Sequence, residues 1–164
     1  MTFRRSVSRL LHDEHVATVS VLDRVEGILL RGRNAPPDPG DAEAARVIGQ
    51  LSRLLQAEAI SHFDFEEHRL FPLLKERGEG DLADLLLEEH GVILEAAAEI
   101  LEIAKIAAAN GFSNDSWTAF RRLGGELSER LRSHIDKEEM ALLPALENIL
   151  DADLDAEIAA GQGQ

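Results

Sequence analysis

The chain has 164 residues with no cysteine, is 45% hydrophobic but only 4% aromatic, and carries a formal net charge of −14 at pH 7. The length suits one domain with its own core, and the lack of cysteine excludes disulfides, zinc–thiolate sites and cysteine-held iron–sulfur clusters. So acidic a chain repels phosphate backbones and anionic lipid, which argues against nucleic acid and membrane surfaces as partners.

A composition rich in Ala, Leu and Glu points to an all-α protein. The first segment, 5–31, places Val19, Leu22 and Leu29 at helical steps and contains Asp13-Glu14-His15. It has no apolar run of signal-peptide length. Gly32 to Gly40, with three prolines and two glycines, cannot continue a helix. A second segment, 41–77, ends at Gly78-Glu-Gly-Asp81, where Asp81 is a candidate N-cap. The third, 81–109, repeats Leu86, Ile93, Leu94, Ala97 and Leu101 at three- and four-residue steps. Asn110-Gly111 breaks it, with Ser113, Asn114 and Asp115 as candidate caps for the fourth segment, 115–149. Four amphipathic helices with short connections predict an up-down-up-down four-helix bundle over residues 1–150. Residues 151–164, acidic and then rich in Gly and Gln, read as a flexible tail. Nothing approaches the ~20 apolar residues of a membrane span, and the expected setting is the cytoplasm.

The second and fourth segments carry the same motif, H-x-D-x-E-E-x-x-L-Φ-P, from His62 to Pro72 and from His134 to Pro144. The first and third share a smaller element, Glu14-His15 and Glu89-His90. The chain is therefore a helical hairpin written twice.

Positions four apart on a helix differ by only ~40° of rotation and ~6 Å of rise. His62 and Glu66 thus point the same way, as do His134 and Glu138, on stripes that also carry Leu55, Leu73, Leu127 and Ala145. His15 shares its stripe with Leu11, Val19 and Leu22, and His90 with Leu86, Leu94 and Ala97. Ionised carboxylates are rarely buried unless paired or coordinating metal, and these stripes hold no basic partner. Four inward histidines and two inward glutamates make a mixed N/O ligand set suited to iron, and also to zinc, manganese or copper. Two glutamates among four histidines can bridge two ions while each ion keeps two histidines. His12, on a neighbouring face, is an alternative to His15 or a nearby donor. Glu58, one turn before His62, is a candidate acceptor from an imidazole N–H, or an edge residue. Glu14, Glu67, Glu89, Glu139 and His68 fall off the inward stripes and are expected to face solvent. Pro72 and Pro144 are expected to shape or end their helices.

These motifs resemble the hemerythrin-like HHE cation-binding family over about residues 8–148. The resemblance implies an oxo-bridged di-iron centre on His15, His62, Glu66, His90, His134 and Glu138, with zinc or manganese as substitutes. Oxygen-carrying hemerythrins have a second histidine one turn on in the third helix. Here that position is Leu94, expected to wall an open coordination position. Their last carboxylate is an Asp five residues after its His, where this chain has Glu139. The four-histidine, two-glutamate set is that of the iron-repair and iron-sensing branches. The function implied is a stand-alone non-haem di-iron protein that binds or reacts with O2, NO or hydrogen peroxide, as a peroxide- or NO-reactive oxidoreductase in stress defence. The alternative is an iron- or oxygen-sensing or iron-storing protein without turnover, and the bland reading is a metal-free helical adaptor.

Overall fold

The computed structural model describes residues 2–162, which form five helices and no strand among them. Helix α1 is Ser6–Arg31. Helix α2 runs over 42–76, helix α3 is Gly80–Asn110, helix α4 runs over 114–149, and helix α5 is Ala152–Gln162. Helices α1 to α4 form an antiparallel bundle in which α1 packs on α2 and α4, and α3 packs on the same two. No described helix is long and apolar enough to cross a membrane.

Local chemistry sets the boundaries. Gly32 ends α1 because Trp117 lies against it: a Cβ there would sit 2.4 Å from the indole, whose Nε1 donates to the Gly32 carbonyl at 2.6 Å. Asp41 caps α2 by accepting from the Ala44 N–H. Gly78 and Gly111 turn the chain with φ of +85° and +75°, which only glycine adopts without strain. Asp81 lies inside the first turn of α3 instead of capping it. Ser113 caps α4 in a reciprocal pair with Ser116.

Neither proline ends its helix. Each follows a widened, π-type turn, Glu66–Leu70 before Pro72 and Glu138–Leu142 before Pro144. In these turns the Phe71 and Leu143 N–H groups reach back five residues, to the Glu66 and Glu138 carbonyls. The proline that follows would clash with the carbonyl four residues back in a regular helix, and the extra residue removes that clash. A third such turn, Leu54–Glu58, lies earlier in α2.

The core comes in two apolar halves. One gathers Leu22, Val25, Leu51, Phe63, Ile100, Phe120 and Leu127 with their neighbours. The other gathers Val7, Leu11, Leu70, Leu74, Leu86, Leu142 and Leu146 with theirs. Between the two halves, on all four long helices, lie the inward histidines and glutamates.

The expected tail is instead structured. Helix α5 packs on the start of α1, and Asp155, only 7% exposed, accepts from the Ser6 and Val7 N–H groups at 2.8 and 2.9 Å. Glu147 of α4 accepts from the Arg4 and Arg5 N–H groups at 3.1 and 2.8 Å. Burial raises the Glu147 pKa, but these backbone donors outweigh it and hold the carboxyl below its usual range. Helix α1 has no side-chain cap of its own, so two distant carboxylates satisfy its orphan donors and its dipole. Ile158 buries the apolar side of α5. Gly163 and Gln164, the end of the expected tail, lie outside the described residues. Asp155→Ala should lower the unfolding free energy by about 1–3 kcal/mol in urea denaturation. Glu157→Ala, on the exposed side of the same helix, should change it by less than about 0.5 kcal/mol. Equal losses from both would show that the cap contributes nothing specific.

Candidate metal centre

Six side chains from four helices converge in the layer between the core halves. His15 comes from α1, His62 and Glu66 from α2, His90 from α3, and His134 and Glu138 from α4. Glu66 and Glu138 are fully buried, and His15, His90 and His134 nearly so. Their donor atoms fall into two groups, His15, His62, Glu66 and Glu138 in one, and Glu66, His90, His134 and Glu138 in the other. Within each group the donors lie within 4.8 Å of one another.

The two glutamates belong to both groups, one oxygen to each side. Glu66 Oε1 meets His62 Nε2, while its Oε2 lies 3.1 Å from His90 Nε2. Glu138 Oε2 lies 2.7 Å from His15 Nε2 and 3.6 Å from His62 Nε2, while its Oε1 lies 2.7 Å from His134 Nε2 and 3.8 Å from His90 Nε2. This is the disposition of two carboxylates that bridge a pair of centres.

The histidines are held from behind. His62 Nδ1 pairs with Glu14 of α1 at 2.6 Å, and His90 Nδ1 with Glu67 of α2 at 2.8 Å. His134 Nδ1 pairs with Glu89 of α3 at 2.9 Å, and His15 Nδ1 with Glu139 of α4 at 2.6 Å. Each helix thus supplies one carboxylate to the histidine of the next, and the ring closes from α4 back to α1. A carboxylate at Nδ1 keeps the proton on that nitrogen, so a neutral imidazole turns the Nε2 lone pair inward. The ring corrects the reading of Glu14, Glu67, Glu89 and Glu139 as solvated charges. Glu67 is 140° from His62 by helical phase, but in a bundle that flank faces the neighbouring helix. The signal was present in the acids beside the ligand positions, Glu14-His15 with Glu66-Glu67 in the first copy of the hairpin and Glu89-His90 with Glu138-Glu139 in the second.

The other candidates lie outside the cluster. His12 Nδ1 pairs with Glu139 at 2.9 Å, its side chain is 43% exposed, and it belongs to neither donor group. Glu58 is exposed, and the His62 Nδ1 that it was expected to satisfy is held by Glu14. Leu94 packs, partly buried, on the first core half. The stripe of α3 runs through Leu86, His90, Ile93 and Ala97, so Leu94 stands beside it. His68 is exposed and bonds the Asp64 carbonyl of its own helix.

Electrostatics follow from the crowding of carboxylates on imidazoles. Burial pulls the His90 pKa down, but Glu138, Glu66 and Glu67 outweigh it and push it up to about 9. Against the pull of burial, His15 is raised by Glu138 and Glu139, and His62 is raised well above its ordinary value by Glu66, Glu138 and Glu14. Burial pushes the Glu138 pKa up, but the imidazoles of His134, His15, His62 and His90 hold it well below the usual carboxylate range. Phe63 stacks on the His90 ring with centroids 3.8 Å apart, and Phe71 lies on it at 5.5 Å. These rings fix the imidazole plane and exclude water.

A buried layer of two carboxylates and four imidazoles in a helical bundle is the arrangement that the sequence repeat foreshadowed. The chain matches the hemerythrin HHE cation-binding domain over residues 6–146, a stretch that contains all six converging residues and the four carboxylates behind them. No curated protein matches the chain. The protein, with its repeated hairpin and its central layer of histidine and glutamate, belongs to the hemerythrin HHE cation-binding family.

Proposed function

We propose that His15, His62, Glu66, His90, His134 and Glu138 hold two iron ions, with zinc or manganese as substitutes, and that the protein binds or reacts with small oxidants or gases such as O2, NO and hydrogen peroxide. The observation that carries this reading is the pair of shared glutamates, each with one oxygen in each donor group. The fit to metal rests on poorly satisfied atoms: Glu66 Oε1, Glu66 Oε2 and Glu138 Oε1 are buried and accept no well-aligned hydrogen bond, although an imidazole Nε2 lies close to each. A poorly satisfied buried carboxylate oxygen is costly, and a cation facing it removes that cost. Iron, when bound, supplies one-electron redox chemistry and a place for a small ligand.

The protein's own contribution is positional. His15 and His62 would serve one ion, His90 and His134 the other, and Glu66 and Glu138 both. Glu14, Glu67, Glu89 and Glu139 hold the imidazole tautomers and orient the rings. The apolar core packs above and below the layer.

Elemental analysis after anaerobic iron loading should give two ions per chain. Glu66→Ala and Glu138→Ala should each fall to one ion or fewer. Glu67→Ala should retain the ions but weaken their binding by about 10–100-fold. One ion per chain in the unmodified protein would overturn the shared-glutamate reading.

Metal takes the deprotonated imidazole, so proton and metal compete. With its pKa at about 9, His90 carries a proton at pH 7 in the metal-free protein, and the raised pKa of His62 acts in the same direction. Metal binding at pH 7 should therefore release protons, and apparent affinity should rise with pH through the pKa of His90. Calorimetry in buffers of different ionisation enthalpy measures the release. An affinity that does not change between pH 6 and pH 9 would mean that these imidazoles do not bind the metal.

A further inference from the structure

A cavity of ≈ 330 Å³ opens between α1 and α2 and reaches the centre. Its floor is His15, His62, His134 and Glu138, and its walls include Ala17, Leu54, Ala57, Ala59, Leu131 and Ile135. Glu14, Thr18, Glu58 and Ser61 supply the polar part of the lining. Glu138 in the floor is fully buried, and its Oε1 is one of the poorly satisfied oxygens. At ~30 Å³ per water the cavity corresponds to about ten waters. That is several times what a diatomic gas or hydrogen peroxide fills, and it falls in the range of small-molecule sites.

The internal repeat supplies its own comparison. His62 and His134 are 72 residues apart, and His15 and His90 are 75 apart. By those offsets Ala17 corresponds to Val92, Thr18 to Ile93 and Ala59 to Leu131. In the second copy each position is larger and apolar, and Ile93 and Leu131 are buried core. The widened turn Leu54–Glu58, which supplies Leu54, Ala57 and Glu58 to the cavity, has as its counterpart a stretch of the regular helix Asn114–Lys137. A depression does lie there, lined by Leu85, Val92, Ile93, Glu129 and Lys137 among others, but none of the six converging residues lines it. The two halves of the repeat therefore differ in access, and the difference lies in Ala17, Thr18 and one widened turn.

We infer that this cavity binds a neutral alkyl hydroperoxide, its oxygen end toward His15, His62 and Glu138 and its alkyl body among Ala17, Ala57 and Ile135. The inference rests on the peroxide reading proposed above and names the substrate class. The apolar walls suit an alkyl group and leave the O–H end to the polar floor. No Lys or Arg lines the cavity, while Glu14 and Glu58 do, so anionic ligands such as carboxylates are repelled. The volume accommodates a body of several carbon atoms, which a gas pocket does not need.

The test uses the full chain loaded with zinc, which is redox-inert, so that binding is read without turnover. Titration with tert-butyl hydroperoxide, followed by amide and methyl NMR, should give saturable shifts confined to Ala17, Thr18, Ala57, Ala59 and Ile135. The double variant Ala17→Val/Thr18→Ile, which copies the second half of the repeat, should weaken binding at least tenfold with metal content unchanged. Ala57→Phe, at an exposed position, gives the same reading should the double variant fold poorly. No saturable shift, shifts elsewhere, or binding indifferent to both variants would overturn the inference. Failure of the chain to take up zinc, seen by elemental analysis, would instead count against the metal reading, and the cavity would then be tested on the metal-free chain by the same titration and the same variants.

Discussion

The structure depends on the hydrogen bond between an imidazole Nδ1 and a carboxylate on the neighbouring helix, made four times around the bundle. Glu14, Glu67, Glu89 and Glu139 each reach one helix forward. Each bond does two things at once. It satisfies the outward nitrogen of a buried ring, which removes the penalty of burying an unpaired polar group. It also decides which nitrogen faces inward, because the proton is held on the outer one. A charge-assisted bond between neighbouring helices also fixes their relative height. A shift of one turn, ~5.4 Å, would separate the partners. The ring therefore sets the register of the bundle at the level where the six side chains meet.

That level is expensive for the fold, and the apolar halves bear the cost. Fully buried Glu66 and Glu138 are stable only when opposed by positive charge, whether imidazolium or a cation. The raised histidines and the lowered Glu138 point to one such balance without metal: the carboxylates favour protonated imidazoles, and the imidazoles favour an ionised carboxylate. Cations replacing those protons would serve the same electrostatic need. Leu11, Leu70, Leu86 and Leu142 on one side, and Leu22, Phe63, Ile93 and Leu131 on the other, pack the core around the layer. The widened turns place Glu66 and Glu138 at the start of a local change of pitch, and the prolines behind them favour that change. Proline, turn and glutamate recur together in both copies because the distorted turn and the side chain it aims are one unit.

Much of this was legible in the residues. The four segments read from periodicity and breaks lie within a residue or two of the helices, because Gly78 and Gly111 need positive φ and Asp41 and Ser113 are strong caps. The six converging residues follow from a four-residue offset between His and Glu that repeats. The ring of acids was missed because a helical wheel divides a surface into inside and outside, whereas a bundle also has flanks. Glu67 and Glu139 lie on flanks, and whether a flank meets solvent or a histidine depends on the neighbouring helix. The role of Asp155 was missed for a related reason. Its partners, the N–H groups of Ser6 and Val7, are backbone atoms at the far end of the chain, and no side-chain pattern announces them. A segment ending in Gly and Gln looks unstructured until the capless start of α1 is set beside it.

The duplicated hairpin makes the inner residues equivalent and leaves the periphery free to diverge. Behind the ring, Glu89 also bonds Lys137 at 2.6 Å, whereas Glu139 also bonds His12 at 2.9 Å. Lys137 and His134 together hold the Glu89 carboxyl below its usual pKa against the effect of burial. In front of the ring, His90 lies between Phe63 and Phe71, while His15 and His62 border the cavity. His90 lines no part of the cavity, whereas His15, His62 and His134 do. Symmetric donors therefore do not imply symmetric chemistry. An incoming molecule in the cavity therefore meets His15, His62, His134 and Glu138, and not His90. Glu66 and Glu138, each with one oxygen toward either donor group, join the two groups.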